Sequence, residues 1–424
     1  MGLAHAVPVR LRSAPAGQGP LAGGRARHLS RRVQQRLREE LQRRPETGGD
    51  CAQQGGKGGG QAPLCEAGRD LGAPISQEPV IAAIDEPTLA EKVTCLSRPD
   101  VYGKRVGAVS CRETHMSWVF FADDRVFKLK KPVRFAYLDF STLARREAAC
   151  RAELELNRRL AGDVYLDVVP LVWTQRGLAL GGCGITVDWL VLMRRLNEAL
   201  TLEHMLLDHR LTARVLDHLI TTLTAFYRHA TPIRMTPGLH LAEWHRNLCD
   251  NRRVLLDPRL EAAAGLVRMI DKAQRRFLHA NPDLFAVRVR GHKIVDGHGD
   301  LRPEHVFVDD RIRIIDCLEF NPKLRAVDPL DEVAFLSVEC DRLGAPWASD
   351  FLQRRILRTW EDLSSEALFC FYRCYRATLR ARLTLAHLLE ANPRTPEKWP
   401  LLTRAYLRIA AADAIRLERK LKTR

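Results

Sequence analysis

Two segments rich in apolar and aromatic residues, Met116–Phe121 and Arg125–Lys130, flank the polar Ala122-Asp123-Asp124, and this pattern predicts a β-hairpin. A helix is expected before it, around Pro87–Leu96, and another after it, over Leu143–Leu160. Two further strands are predicted at Val164–Val172 and Gly184–Met193. From about Leu202 the apolar residues recur at helical spacing, over Leu211–Ala230, Ala242–Leu255, Arg259–Asn281, Asp350–Glu361, Glu366–Glu390 and Pro400–Lys422. One strand–turn–strand is embedded among these helices. It runs through Val306-Phe307-Val308, the polar turn Asp309-Asp310-Arg311, and Ile314-Ile315. The expected fold class is α+β, with a small β-rich part over 76–196 and a larger, mostly helical part over 197–424. Residues 1–75 break the pattern: they hold no Phe, Tyr or Trp and include Gly55-Gly56-Lys57-Gly58-Gly59-Gly60. So little apolar surface does not offset the entropy of ordering, so a disordered basic Gly/Arg-rich tail is expected, with at most a short basic helix around Ser30–Gln42. Gly56-Lys57 falls short of a P-loop, because Gly58 stands where Ser or Thr is required and no strand precedes it.

Composition narrows the class. A chain of 424 residues with 46% hydrophobic residues has ample material for a core. No run of eighteen apolar residues occurs, so no membrane span is expected, and the N-terminus lacks the apolar region of a secretory signal. The eleven cysteines are scattered and form no Cys-x-x-Cys pair. That argues against a zinc site or disulfide framework and for free thiols in a reducing, cytoplasmic setting. The net charge is +16, of which the first 75 residues supply +6. No basic stripe interleaved with aromatics accompanies it, so a nucleic-acid partner is not expected, and a basic cleft that attracts phosphate fits the charge.

The chemistry concentrates in Gly297-His298-Gly299-Asp300-Leu301-Arg302-Pro303-Glu304-His305, ahead of the strand–turn–strand that ends in Asp316. A hairpin can bring Asp300 and Asp316 to one end of a cleft. Phosphoryl transfer uses such a pair, one carboxylate to orient and deprotonate the attacking hydroxyl and one to hold magnesium. The segment resembles the HGDLHPGN-type loop and following metal-binding Asp of the aminoglycoside phosphotransferase-like kinases. The resemblance implies a two-lobed protein-kinase-like fold and an ATP- and Mg2+-dependent phosphotransferase acting on a hydroxyl of a small molecule. A catalytically weak, nucleotide-binding regulator of the same fold is the alternative.

On that resemblance Asp300 is the candidate base and His298 fixes its loop. Asp316 and His305 take the metal positions, although His305 stands where the family usually has Asn, and imidazole suits magnesium poorly. The position of Arg302 is expected to face phosphate or solvent. The stretch Asp316-Cys317-Leu318-Glu319-Phe320-Asn321 resembles the D-C-x-E-F-N of an uncharacterised kinase subfamily. Glu319 is a candidate helper there.

The phosphate-pairing lysine is expected in the strand Val126–Lys131, where Lys128 and Lys130 share a face. One alignment favours Lys128, the preferred reading, and another Lys130. Their carboxylate partner should come from the next helix, where Glu153 matches best and Glu147 and Glu155 are also present. In place of a glycine-rich loop, Glu113-Thr114-His115-Met116-Ser117-Trp118 resembles the subfamily's E-T-H-I-S-W, so Thr114, His115 and Ser117 are candidate phosphate donors. Met193 ends the strand expected to face adenine. Val327-Asp328-Pro329-Leu330-Asp331 resembles the family's D-P-x-x-D stretch, in which Asp331 is expected to cap the following helix and brace the loop.

Overall fold

The computed structural model describes residues 86–422 apart from 136, 261, 361–365, 391, 392 and 394. The expected tail and its basic helix at Ser30–Gln42 lie outside the described residues. Helix α1 (Leu89–Leu96) starts at Thr88, whose hydroxyl accepts from the Glu91 amide while the Glu91 carboxylate accepts from the Thr88 amide. This reciprocal cap satisfies two backbone donors that no helical carbonyl can reach.

Strands β1 (Val109–Glu113), β2 (Ser117–Ala122) and β3 (Arg125–Lys130) form a meander, followed by the short pair β4 (Arg134–Phe135) and β5 (Leu138–Asp139). Helix α2 (Leu143–Ala161) comes next, then β6 (Tyr165–Thr174), β7 (Gly177–Leu180) and β8 (Ile185–Arg194). The six long strands make one antiparallel sheet in the order β1-β2-β3-β8-β6-β7. Strands β1 and β7 escape the sequence pattern. Both lie at sheet edges and lack the aromatic residues that mark β2 and β3. Helix α2 packs on β6 and β8. Lys92 of α1 and Arg146 of α2 both donate to the buried Asp188 of β8, tying the two helices to the sheet.

The rest is helical: α3 (Leu202–Leu207), α4 (Ala213–His229), α5 (Pro237–Leu255), α6 (Ala264–Ala280) and α7 (Pro282–Arg290). Three of these, α3, α4 and α5, begin after Thr201, Thr212 and Thr236, each of which accepts an amide hydrogen bond from its own first turn. The short pairs β9 (Val295–Asp296) with β12 (Ala326–Val327) and β10 (Val306–Val308) with β11 (Ile312–Ile314) interrupt the helices. Helices α8 (Pro329–Arg342), α9 (Pro346–Thr359), α10 (Glu366–Ala386) and α11 (Lys398–Lys422) complete the part. The expected division into a β-rich part and a larger helical part is therefore present.

Helix α7 lies beyond the expected Arg259–Asn281 helix: Pro282 restarts the helix after the single residue Asn281. Helix α8 was foreseen only as a start, since Pro329 to Cys340 are all buried and no polar face marks the period. The residue that caps α8 is Asp328, not Asp331. The Asp328 carboxylate accepts from the Leu330 amide, while Asp331 is buried on the helix and pairs with Arg376. Of the described cysteines, all free, Cys111, Cys183 and Cys249 are exposed and the other six are buried.

Candidate active site

The loop from Gly297 to His305 is held by its own backbone requirements. Gly299 has φ +85°, and a Cβ there would meet the Leu324 carbonyl at 2.9 Å. At Gly297 a Cβ would meet the Glu332 carboxylate at 2.7 Å. That close approach serves a purpose. Glu332, the fourth residue of α8, accepts the His298 amide at 3.0 Å, the Gly299 amide and the Tyr227 hydroxyl at 2.9 Å. Thus Glu332 braces the loop, the role expected of Asp331. The family-like stretch pointed to the right turn of the helix and the wrong carboxylate.

His298 is fully buried and neutral in character. Its Nε2 donates to the Ile315 carbonyl at 2.9 Å, and its Nδ1 accepts the Asp300 amide at 3.3 Å. Burial lowers its pKa to about 4. It thereby ties the Asp300 loop to the end of β11, as expected of a loop-fixing residue.

Asp300 and Asp316 flank one ring. His305 Nδ1 lies 3.8 Å from an Asp300 carboxylate oxygen, and its Nε2 lies 3.5 Å from an Asp316 oxygen. The β10–β11 hairpin, with Val306 opposite Ile314, brings the two carboxylates together. Asp316 follows β11 with φ +64°, a left-handed conformation that Asp tolerates better than branched residues do. Its amide donates to the Tyr165 hydroxyl at 3.2 Å, and the next amide, of Cys317, donates to Asn157 at 2.9 Å. Tyr165 and Asn157 thus set the Asp316 turn against β6 and α2.

Both nitrogens of His305 are engaged. Nδ1 donates to the Asp300 carbonyl at 2.9 Å, which leaves Nε2 as the acceptor facing Arg302 Nη2 at 3.1 Å. Arg302 is itself buried and also reaches the Asp300 carboxylate at 2.9 Å and Glu304. Of the two placements expected for it, facing phosphate or solvent, burial removes the second. Burial pushes the Asp300 carboxyl up to about 7, ahead of the opposing pull of His305 and Arg380. For Asp316 burial acts in the same direction, but Lys128 beside it and His305 and Arg302 nearby outweigh it and hold this carboxyl well below the usual range. Two neighbouring carboxylates are pushed apart in this way.

Lys128 and Lys130 do share a face, and both reach Glu153. Lys128 Nζ lies 2.8 Å from one Glu153 oxygen and Lys130 Nζ 2.6 Å from the other. Lys128 alone continues to Asp316, at 2.9 Å, whereas Lys130 turns to Glu319 and is almost fully buried. Glu147 pairs with Arg151 on the surface of α2, away from these lysines. Glu319 is the residue that sequence reasoning undervalued: it is the second partner of a buried lysine.

The other candidates take quieter places. The Thr114 hydroxyl donates to the Ser117 carbonyl and accepts the Ser117 amide, so it closes the β1–β2 turn. Ser117 is buried, and His115 stacks on Phe135 at 4.9 Å. Met193 lies in β8 opposite Val126 and Tyr165, within an apolar group that also takes in Val119, Leu196 and Ile315.

No family model matches the chain. Its sequence is 32% identical over 314 residues to an uncharacterised protein of Mycobacterium tuberculosis (strain H37Rv), and equally to one of Mycobacterium bovis. The match covers 73% of this chain and 58% of those proteins, so the chain spans little more than half the length of the curated relatives it matches. Among solved structures it is similar to a choline/ethanolamine kinase family protein from Mesorhizobium loti, with 15% identity over 77% of this chain and 98% of that one and a TM-score of 0.43. It is also similar to a choline kinase from Cryptosporidium parvum, with 9% identity over 78% and 95% of the chains and a TM-score of 0.45. An aminoglycoside phosphotransferase crystallised with AMP-PNP and hygromycin B gives 11% identity over 73% and 94% and a TM-score of 0.42. These solved neighbours are choline/ethanolamine kinases and aminoglycoside phosphotransferases, which share the protein-kinase-like fold.

Proposed function

We propose that the chain is an ATP- and magnesium-dependent phosphotransferase whose acceptor is a hydroxyl of a small molecule. The observation that carries this reading is the placement of Asp300 and Asp316 on either side of His305, with Lys128 joining Glu153 to Asp316. Phosphoryl transfer demands positioning and charge stabilisation more than covalent chemistry, and this group supplies both. Adenine is placed in this reading against the apolar group of Val119, Val126, Met193, Leu196 and Ile315. Lys128, steered by Glu153, pairs with the phosphates. Asp300, with its carboxyl near neutrality, takes the hydroxyl proton, and Arg302 beside it faces the charge that develops on the group in transfer.

Magnesium takes one or two protein carboxylates and completes its shell with water and phosphate oxygens. Among the described residues no three His, Cys, Asp or Glu side chains gather into a metal cage. Asp316 is half-exposed and fully ionised in character, which fits a cation that arrives with the nucleotide. His305, with its acceptor nitrogen against a guanidinium, does not fit as a ligand and serves as the spacer between the carboxylates. When bound, the cation would draw charge from the phosphates. The engagement of His305 leaves Asp316 as the principal metal ligand, and this one observation favours the second reading, a nucleotide-binding regulator with little turnover. Calorimetry of ATP with and without magnesium, on the native protein and on Asp316→Asn, tests the binding half: magnesium should tighten ATP only in the native protein, and an unchanged titration in the variant removes Asp316 from the metal position.

A further inference from the structure

On the far side of the loop brace, a cavity of about 460 Å³ is lined by Tyr227, Arg228, His292, Lys293, Pro329 and Trp360, among others. It lies outside the group of Asp300, Asp316 and Lys128 and shares no lining residue with it. Its size is that of a small-molecule site. Its chemistry is one-sided. Arg228, His292 and Lys293 all line it, and among the described lining residues there is no Asp or Glu.

Most of the described arginines are tied to carboxylates, but neither Arg228 nor Lys293 makes an ion pair with any described residue. Lys293 Nζ lies over the Trp360 ring at 5.0 Å. The indole Nε1–H of Trp360 is cut off from solvent and has no acceptor. Cations on two separate segments, α4 and the turn at Gly291–Lys293, suit a dianion better than a single carboxylate.

Three walls of the cavity lead to the catalytic loop. The Tyr227 hydroxyl donates to Glu332 at 2.9 Å, and Glu332 holds the His298 and Gly299 amides. Pro329 opens the helix that carries Glu332, and Val295 lies in β9 two residues before Gly297. We propose that this cavity is a second, non-catalytic binding site for the phosphate group of a small phosphorylated molecule, and that its occupancy is felt by the loop through Tyr227 and Glu332.

Pyrophosphate is the probe. Its binding to the full chain is measured by calorimetry in the native protein, in Lys128→Met, which disables phosphate pairing at the main site, and in Arg228→Ala/Lys293→Ala, whose side chains are exposed and make no ion pair with a described residue, with thermal unfolding of the double variant as the check that loss of the Lys293 contact with Trp360 leaves the fold intact. The proposal expects binding that survives Lys128→Met and weakens about tenfold or more in the double variant, the loss of a charge-assisted contact or two. Quenching of tryptophan fluorescence by pyrophosphate should persist in Lys128→Met and disappear in Trp360→Phe. Hydrogen exchange at the His298 and Gly299 amides should slow with pyrophosphate in Lys128→Met, and Tyr227→Phe should bind the probe without that slowing. Binding that vanishes in Lys128→Met and is untouched in the double variant overturns the site, as does absence of binding at millimolar probe. Exchange that is indifferent to the probe, or slowed equally in Tyr227→Phe, overturns the coupling. No step of the test reads turnover, so it stands apart from the phosphotransfer reading.

Discussion

Lys128 Nζ lies 2.9 Å from Oδ1 of Asp316, 188 residues further along the chain. The same ammonium lies 2.8 Å from Glu153, so one lysine of the sheet joins the helix that follows it to the acid that ends the distant hairpin. Lys130, two residues on, shares Glu153 but is sealed against Glu319. The two lysines should therefore answer substitution differently. Lys128→Met should abolish most nucleotide affinity with a modest effect on melting temperature. Lys130→Met strands a buried carboxylate and should cost about 3 kcal/mol or more of stability. Thermal unfolding and ATP titration of both variants check this, and equal melting temperatures would show that burial does not separate the two.

The loop brace gives a second outcome. In Glu332→Gln one of the amides of His298 and Gly299 faces an amide nitrogen and loses its acceptor, a loss of about 1–3 kcal/mol concentrated on the loop. Hydrogen exchange should quicken at 297–300 in this variant. Asp331→Asn disturbs the pair with Arg376 and should leave exchange at those amides unchanged. Equal quickening in both variants would return the brace to Asp331.

Much of this was legible beforehand, and the reasons are physical. The hairpin of β2 and β3 and the β10–β11 pair are each apolar segments flanking a polar turn, so they could be read. Asp300 and Asp316 could be read because a glycine turn and an apolar strand leave few places for their carboxylates. The choice between Asp331 and Glu332 could not, since adjacent acids on a helix buried all round carry no mark of direction. Nor could the burial of Arg302, because its partners Asp300, Glu304 and His305 look like ordinary surface residues until the loop folds back on itself.

A pH dependence follows from His298. Its folded pKa of about 4 lies below the unfolded value, so the unfolded chain binds the extra proton first. The stability that the neutral ring provides is complete above about pH 6.5 and falls as pH drops from there towards 4, by about 2 kcal/mol at pH 5. His298→Asn should be less stable at pH 8 and lose less on acidification by that amount. Urea unfolding of both forms at pH 8 and pH 5 measures it, and parallel losses would contradict the assignment of a neutral ring.

His305→Asn separates a spacer from a degraded ligand. The imidazole holds the Asp300 carbonyl and receives Arg302, and Asn is too short to do both. Turnover should fall about tenfold or more, the scale of a lost positioning contact in transfer. Magnesium titrations of turnover should keep their midpoint. A variant more active than the native protein, or one that binds magnesium more tightly, would restore His305 to the metal position.

Transfer of labelled γ-phosphate from ATP to a panel of hydroxylated small molecules, with native protein and Asp300→Asn side by side, tests the central claim most directly. The account predicts a labelled product with the native protein and a loss of about 10²–10⁴-fold in Asp300→Asn, with ATP binding retained in both. Equal labelling by the two proteins, or ATP binding without transfer to any hydroxyl in the panel, would contradict it.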